Sequence, residues 1–256
     1  MRIFDFHLHP GYDFHENDTD PARFAALLKT SGVTACAGSF VNLDMYKKPV
    51  EEYAWRIPDL NRKAWAFHDA YPDFFVPGVQ IHPDFPEISC RELEAHAKRG
   101  GVLVGEIVYY MMGFQYPHPK LPEIMACARD LGMVVNFHPS KRMEYNLGLV
   151  RAVPDCTWVV AHLGGYGIYE DCIALMRENE HVYADISAYG PDFPGMLRDA
   201  VNRVGSERIL FGTDFPGSRP EGMEEKYLKY VLSEGLSETD TENILYENAR
   251  RLLRLP

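Results

Sequence analysis

Two hydrophobic periods alternate along the chain. Short runs dense in Val, Ile, Leu and Phe, several with a polar residue near the carboxyl end, are followed by stretches where apolar residues return every three to four positions, the signatures of strand and amphipathic helix. The first run covers 3–10, where alternation would set Ile3, Asp5, His7 and His9 on one face and Phe4, Phe6 and Leu8 on the other. Asp20 and Pro21 then form a helix start, with Phe24, Leu27 and Leu28 as its apolar stripe and Gly32 as its stop. The remaining strands are expected at 33–40, 74–82, 102–107, 133–138, 156–162, 181–187 and 208–214. Helices are expected at about 51–71, 89–99, 121–131, 145–153, 169–179, 193–204 and 221–233. Leu236, Ser237 and Asp240 form a staple and capping box ahead of a last helix carrying Ile244, Leu245, Ala249, Leu252 and Leu253.

Eight strand–helix alternations with mostly short connections predict an α/β fold, a (β/α)8 TIM barrel of one domain over residues 1–256, with the last helix closing it. A net charge of −11, from 26 basic and 37 acidic residues, offers no broad cationic surface and disfavours nucleic acid as a partner. Five cysteines, odd in number and without a Cys-x-x-Cys pair, fit a reduced, cytoplasmic protein. Neither a signal peptide nor an apolar run of membrane-spanning length is expected, so the protein is read as soluble, with a small-molecule partner and no membrane. Barrels of this kind often pair, which leaves a homo-oligomer open.

Polar residues concentrate at the carboxyl ends of the expected strands. The first carries His7 and His9, one strand repeat apart, a spacing that lets two imidazoles reach one metal ion. Glu106 ends VLVGEI, His138 ends MVVNFHP, His162 lies in WVVAHLGG and Asp214 in ILFGTDFP. Each has an ordinary explanation as a bonded core histidine or a helix cap. In a barrel, however, these ends share one mouth, where sites of this architecture are built, and six ligand-type residues ending five strands by accident is improbable. Val134 with His138, Val160 with His162 and Leu210 with Asp214 would all point inward by alternation.

The ordered motifs DFHLH, NFHP, AHLGG, FGTDFP and ILYENARRLL resemble the amidohydrolase superfamily, in particular its amidohydrolase-2 branch related to aminocarboxymuconate semialdehyde decarboxylase. The resemblance implies a divalent ion at the barrel mouth bound by His7, His9, His138 and Asp214, with His162 beside it. Glu106 in GEI looks like the acidic ligand of TatD-type hydrolases; as a bridge it would imply two ions, one on His7, His9, Glu106 and Asp214, the other on Glu106, His138 and His162. Zn2+ is the expected metal, with Mn2+ as the alternative. Asp214 would double as general acid/base, and His162, if not a ligand, would polarise a substrate carbonyl.

These residues point to a metal-dependent hydrolase of a small amide, ester or lactone. The alternatives are non-oxidative decarboxylation, a TatD-like phosphodiesterase that the acidic charge opposes, and a non-catalytic ligand-binding barrel that the full ligand set opposes. Loop residues expected at the substrate are Tyr109, Tyr110, Lys141, Arg142, Ser187 and Arg219. Asp5 is expected beneath His7, orienting it through a ring or backbone donor, and His82 in QIHPD as a further support or substrate residue. His15, His68, His96, His118 and His181 fit no constellation and read as surface or packing.

Overall fold

The structure is a computed structural model that describes residues 1–10, 20–42, 45–163, 165–216 and 223–256. Strands and helices alternate as β1 (Phe4–Leu8), α1 (Pro21–Thr30), β2 (Ala35–Gly38), α2 (Tyr53–Ala70), β3 (Phe75–Val79), α3 (Pro86–Lys98), β4 (Leu103–Ile107) and α4 (Leu121–Asp130). The second half continues with β5 (Val134–Phe137), α5 (Met143–Ala152), β6 (Thr157–Val160), α6 (Tyr169–Glu178), β7 (Val182–Asp185), α7 (Met196–Val204), β8 (Ile209–Leu210) and α8 (Met223–Ser233). A last helical stretch runs through α9 (Glu238–Glu242), a π-helical turn (Asn243–Glu247) and α10 (Asn248–Leu252). The eight strands pair in parallel in chain order. Beyond β8 the chain returns to β1 through Phe6 N–H to Phe211 O at 2.9 Å, Asp214 N–H to His7 O at 2.8 Å and His9 N–H to Phe215 O at 2.8 Å. This is the (β/α)8 barrel that the alternation predicts.

Two apolar layers hold it. Phe4, Phe6, Leu103, Val134, Val159 and Leu210 form one cluster; residues from strands on opposite sides can meet only through the barrel interior. Ala249 and Leu253 of the last helical stretch join that cluster, closing the interior as expected. The larger cluster, including Leu28, Leu93, Ile124, Trp158, Ile173 and Leu197, lies between strands and surrounding helices.

Several expectations are corrected. Pairing of β1 with β2 shifts register between Asp5 and Leu8, so strict alternation fails there: Phe4 and Phe6 pack in the interior cluster, whereas Leu8 belongs to the outer one. In β6 it is Val159, not Val160, that joins the interior. β8 is only two residues long, and Asp214 lies beyond it. The fully reduced cysteine set is also corrected, because Cys90 of α3 and Cys127 of α4 form a disulfide with Cα atoms 6.0 Å apart. Cys36, Cys156 and Cys172 are buried and lie outside that disulfide. Among the described residues no helix is long and apolar enough to cross a membrane.

Candidate metal centre

The strand ends deliver their polar side chains to one buried cluster. His7 belongs to β1, and His9 follows it; Gly212 lies against His7, where a Cβ would stand 2.8 Å from that of His7. Glu106 is brought in by Gly105, whose φ of +85° suits glycine and whose added Cβ would lie 2.3 Å from the Asn136 carbonyl oxygen. His138 follows β5. His162 and Asp214 follow β6 and β8 with left-handed backbones, φ +60° and +63°. Non-glycine residues in that region carry strain that the surrounding structure must offset, and such positions gather at functional sites. The turn at 162 explains why His162 reaches the mouth although Val160 packs outward.

Glu106 sits at the centre. Its Oε2 lies 3.2 Å from Nε2 of both His7 and His9, and its Oε1 lies 2.9 Å from His138 Nδ1 and 3.3 Å from His162 Nε2. Within each imidazole pair the facing nitrogens are 3.3 Å apart (His7 and His9) and 3.2 Å apart (His138 and His162). The Asp214 carboxylate stands 3.4 Å from His9 Nε2 and 3.8 Å from His7 Nε2. Asp214 is the accessible member, its side chain 21% exposed against 3% for Glu106.

Asp185 at the end of β7 supports the cluster from behind. Its Oδ2 accepts from His7 Nδ1 at 2.9 Å and Asn136 Nδ2 at 3.3 Å; its Oδ1 accepts from the backbone N–H of Ser187 at 3.0 Å and of His162 at 3.2 Å. The Ser187 hydroxyl donates to the same carboxylate and lies 2.7 Å from His162 Nδ1. Asp5 takes the His7 backbone N–H at 3.2 Å, the Thr213 N–H at 3.1 Å and the Thr213 hydroxyl at 2.6 Å, which ties β1 to the segment carrying Asp214.

Burial alone would lower the pKa of His7, but the carboxylates of Asp185 and Glu106 overcome it and hold the ring well above the ordinary imidazole value. His162 is raised in the same way, Glu106 and Asp214 outweighing burial. At His138 burial prevails and the pKa falls. Burial opposes ionisation of both acids too, yet the neighbouring imidazoles His7 and His162 carry Glu106 well below the carboxylate range, and His7 with His162 and Ser187 brings Asp185 to about 2. The cluster thus holds ionised carboxylates and attracts positive charge. Nitrogen lone pairs converging within 3.3 Å around a carboxylate need a proton or a cation between them, and mixed imidazole and carboxylate donors suit a borderline divalent ion. Two triads, His7 with Glu106 and His162, and His7 with His9 and Asp214, have ligand atoms within 4.8 Å of one another. The donor set fits a divalent metal.

A cavity of about 670 Å3 opens beside the centre, lined by His138, Tyr109, Tyr110, Tyr116, Tyr145, Lys141 and Arg142. The Arg142 guanidinium lies 4.6 Å from the Tyr145 ring centre and donates to Glu144 at 2.9 Å. Tyr116 is buried, and its hydroxyl has no hydrogen-bond partner among the described residues. Burial, Glu106 and Tyr109 push its pKa well above the usual phenol value, so it is a protonated donor.

The expected residues divide clearly by place. His7, His9, Glu106, His138, His162 and Asp214 come together, and Tyr109, Tyr110, Lys141 and Arg142 line the adjoining cavity. Ser187, expected at the substrate, is instead fully buried and engaged by Asp185, His162 and His7. His82 is fully buried too, with Nε2 2.9 Å from the Met112 carbonyl oxygen and its ring 4.6 Å from that of Tyr53; it braces the loop carrying the tyrosines. Arg219 and His15 lie outside the described residues. Asp185, Asn136 and Tyr116 were not anticipated. For Asp185 a signal was present, since Tyr183, Asp185 and Ser187 alternate toward the end of a strand.

This barrel, with imidazoles and acids gathered at its mouth, matches the family model described as amidohydrolase over residues 4–255, and the chain belongs to that family. Members use a divalent metal. Among solved structures, a 2,6-dihydroxybenzoate decarboxylase from Rhizobium is similar at 16% identity and a TM-score of 0.73, with 98% of each chain covered. A probable 2-pyrone-4,6-dicarboxylic acid hydrolase from Acinetobacter baumannii, with citric acid bound, is similar at 16% identity and 0.71 over all of both chains. A manganese-complexed 5-carboxyvanillate decarboxylase from Novosphingobium aromaticivorans is similar at 15% and 0.74, covering 94% of this chain and 82% of its own. At these identities the likeness establishes the fold. No curated protein matches the chain.

Proposed function

We propose that the chain is a metal-dependent hydrolase of a small, anionic carbonyl compound, an amide, ester or lactone. The observation that carries this reading is Glu106, set between two imidazole pairs with one oxygen toward each. That arrangement suits a pair of ion subsites, His7, His9, Glu106 Oε2 and Asp214 on one side and His138, His162 and Glu106 Oε1 on the other. Zn2+ or Mn2+ held there would polarise the substrate carbonyl and lower the pKa of water toward neutrality. Asp214, the accessible carboxylate, takes the proton from the attacking water and delivers it to the leaving atom. Lys141 and Arg142 give the cavity a cationic side on an otherwise acidic chain, which favours a substrate carrying a carboxylate.

Decarboxylation is the second reading, favoured by the tyrosine wall of the cavity, which offers flat apolar faces to a conjugated acid. One experiment separates the two. Lactone, ester, amide and aromatic-acid panels are run with added Zn2+ or Mn2+ in 18O-labelled water. Hydrolysis places the label in the product carboxylate; labelled product is the expected result, and CO2 release from an unlabelled product would replace it with the second reading. Absence of stoichiometric metal after purification without chelators would count against both.

A further inference from the structure

Asp185, at the end of β7, is a buried acid with no place among the candidate ligands. Asp185 is completely enclosed, and its two oxygens are already taken by the donors of His7, Asn136, Ser187 and His162. No lone pair is left for a cation. The Ser187 hydroxyl has one proton, which it gives to Asp185, so at His162 Nδ1 it acts as acceptor and the ring must carry its proton there. His7 Nδ1 likewise faces a carboxylate that can only accept. Nδ1 of both rings is therefore committed as a donor, so Nε2, the atom each ring turns toward Glu106, is the nitrogen that can exchange its proton for a cation.

Building on the metal-centre reading above, we infer that Asp185 is a positioning residue that sets two ligand imidazoles at once, His7 by direct contact and His162 through the Ser187 hydroxyl. A carboxylate partner behind a ligand imidazole fixes its tautomer and raises its basicity, and losing such a partner typically costs 10- to 100-fold in metal affinity. A purely structural Asp185 would only tie the ends of β6 and β7 by accepting the His162 and Ser187 backbone N–H groups.

Asp185→Asn separates these roles. An amide keeps an oxygen for the backbone donors but turns an N–H toward His7 Nδ1, forcing that ring into the opposite tautomer. The full-length chain is titrated with Zn2+ against a competing chelator, and 15N chemical shifts of the histidine rings, followed in the metal-free chain up to a pH at which the rings are neutral, report the tautomers in wild type and variant. The expected result is an affinity about 10- to 100-fold lower, with the His7 proton moved to Nε2. Wild-type affinity with His7 still protonated on Nδ1 would overturn the inference. If Asp185→Asn does not fold, Ser187→Ala carries the test: severalfold weaker Zn2+ binding with an altered His162 tautomer supports it, and unchanged binding overturns it. A wild-type chain that binds neither Zn2+ nor Mn2+ would overturn the metal-centre reading itself, a failure distinct from unchanged variants.

Discussion

His7 at the barrel mouth and His96 in the seam between α2 and α3 are equally buried, each 2% exposed, yet they are driven in opposite directions. His96 lies against Trp65, ring centres 5.2 Å apart, and burial pushes its pKa down to about 4. At His7 the same desolvation is overcome by Asp185 and Glu106, and the ring attracts a proton well above its ordinary value. One residue type thus does two jobs. The seam excludes charge and contributes packing; the mouth gathers acids so that something positive is held there.

The sharpest way to break this contrast is at the mouth. Asp214→Asn should lower kcat by about 10²- to 10⁴-fold at saturating metal, the range for loss of a positioned acid/base, while leaving the folded state intact by circular dichroism. Undiminished turnover would remove Asp214 from the chemistry.

The seam gives the next effect. Unfolded His96 takes a proton below about pH 6.5 but folded His96 only below about 4, so the unfolded state binds more protons between them and stability falls as pH drops through that window. That term is on the order of 3 kcal/mol across the interval. Urea titrations from pH 7 to 4 should show a shallower decline for His96→Leu than for the wild type; parallel curves would mean that His96 does not titrate as described.

His7 and His162 have the reverse sign. In the metal-free protein their contribution is complete below the unfolded pKa and fades as pH rises through the higher folded value. Protons and a cation compete for these rings, so Zn2+ affinity should weaken on acidification already above pH 6.5. Chelator competition at pH 8 and 6.5 checks this, and equal affinities would contradict it. Smallest in scale, Tyr116→Phe should reduce kcat/KM about tenfold, the worth of one hydrogen bond to substrate, with Tm unchanged or higher because the hydroxyl has no hydrogen-bond partner among the described residues. A variant matching the wild type in kcat/KM would exclude Tyr116 from substrate contact.

The barrel was legible because its strands are short apolar runs and its helices carry stripes, patterns set by burial alone. The gathering of polar side chains at the mouth was legible for a similar reason: imidazoles and carboxylates at strand ends are too costly to bury without partners. What periodicity could not carry is departure from it. His162 reaches the cluster through a left-handed residue after β6, β1 changes register near His7, and Ser187 is drawn inward by its hydrogen bond to Asp185. The Cys90–Cys127 pairing depends on how α3 and α4 lie against each other, which spacing along the chain does not encode.

The seam joining β1 to the segment after β8 also has a temporal meaning. His7 and His9 are translated long before the backbone groups of Asp214 and Phe215 that seat them. Until the segment after β8 is made these two histidines have no wall to rest on, and a chain halted before Asp214 lacks one member of the buried cluster. The complete cluster can therefore assemble only after both edges of the barrel's closing seam exist.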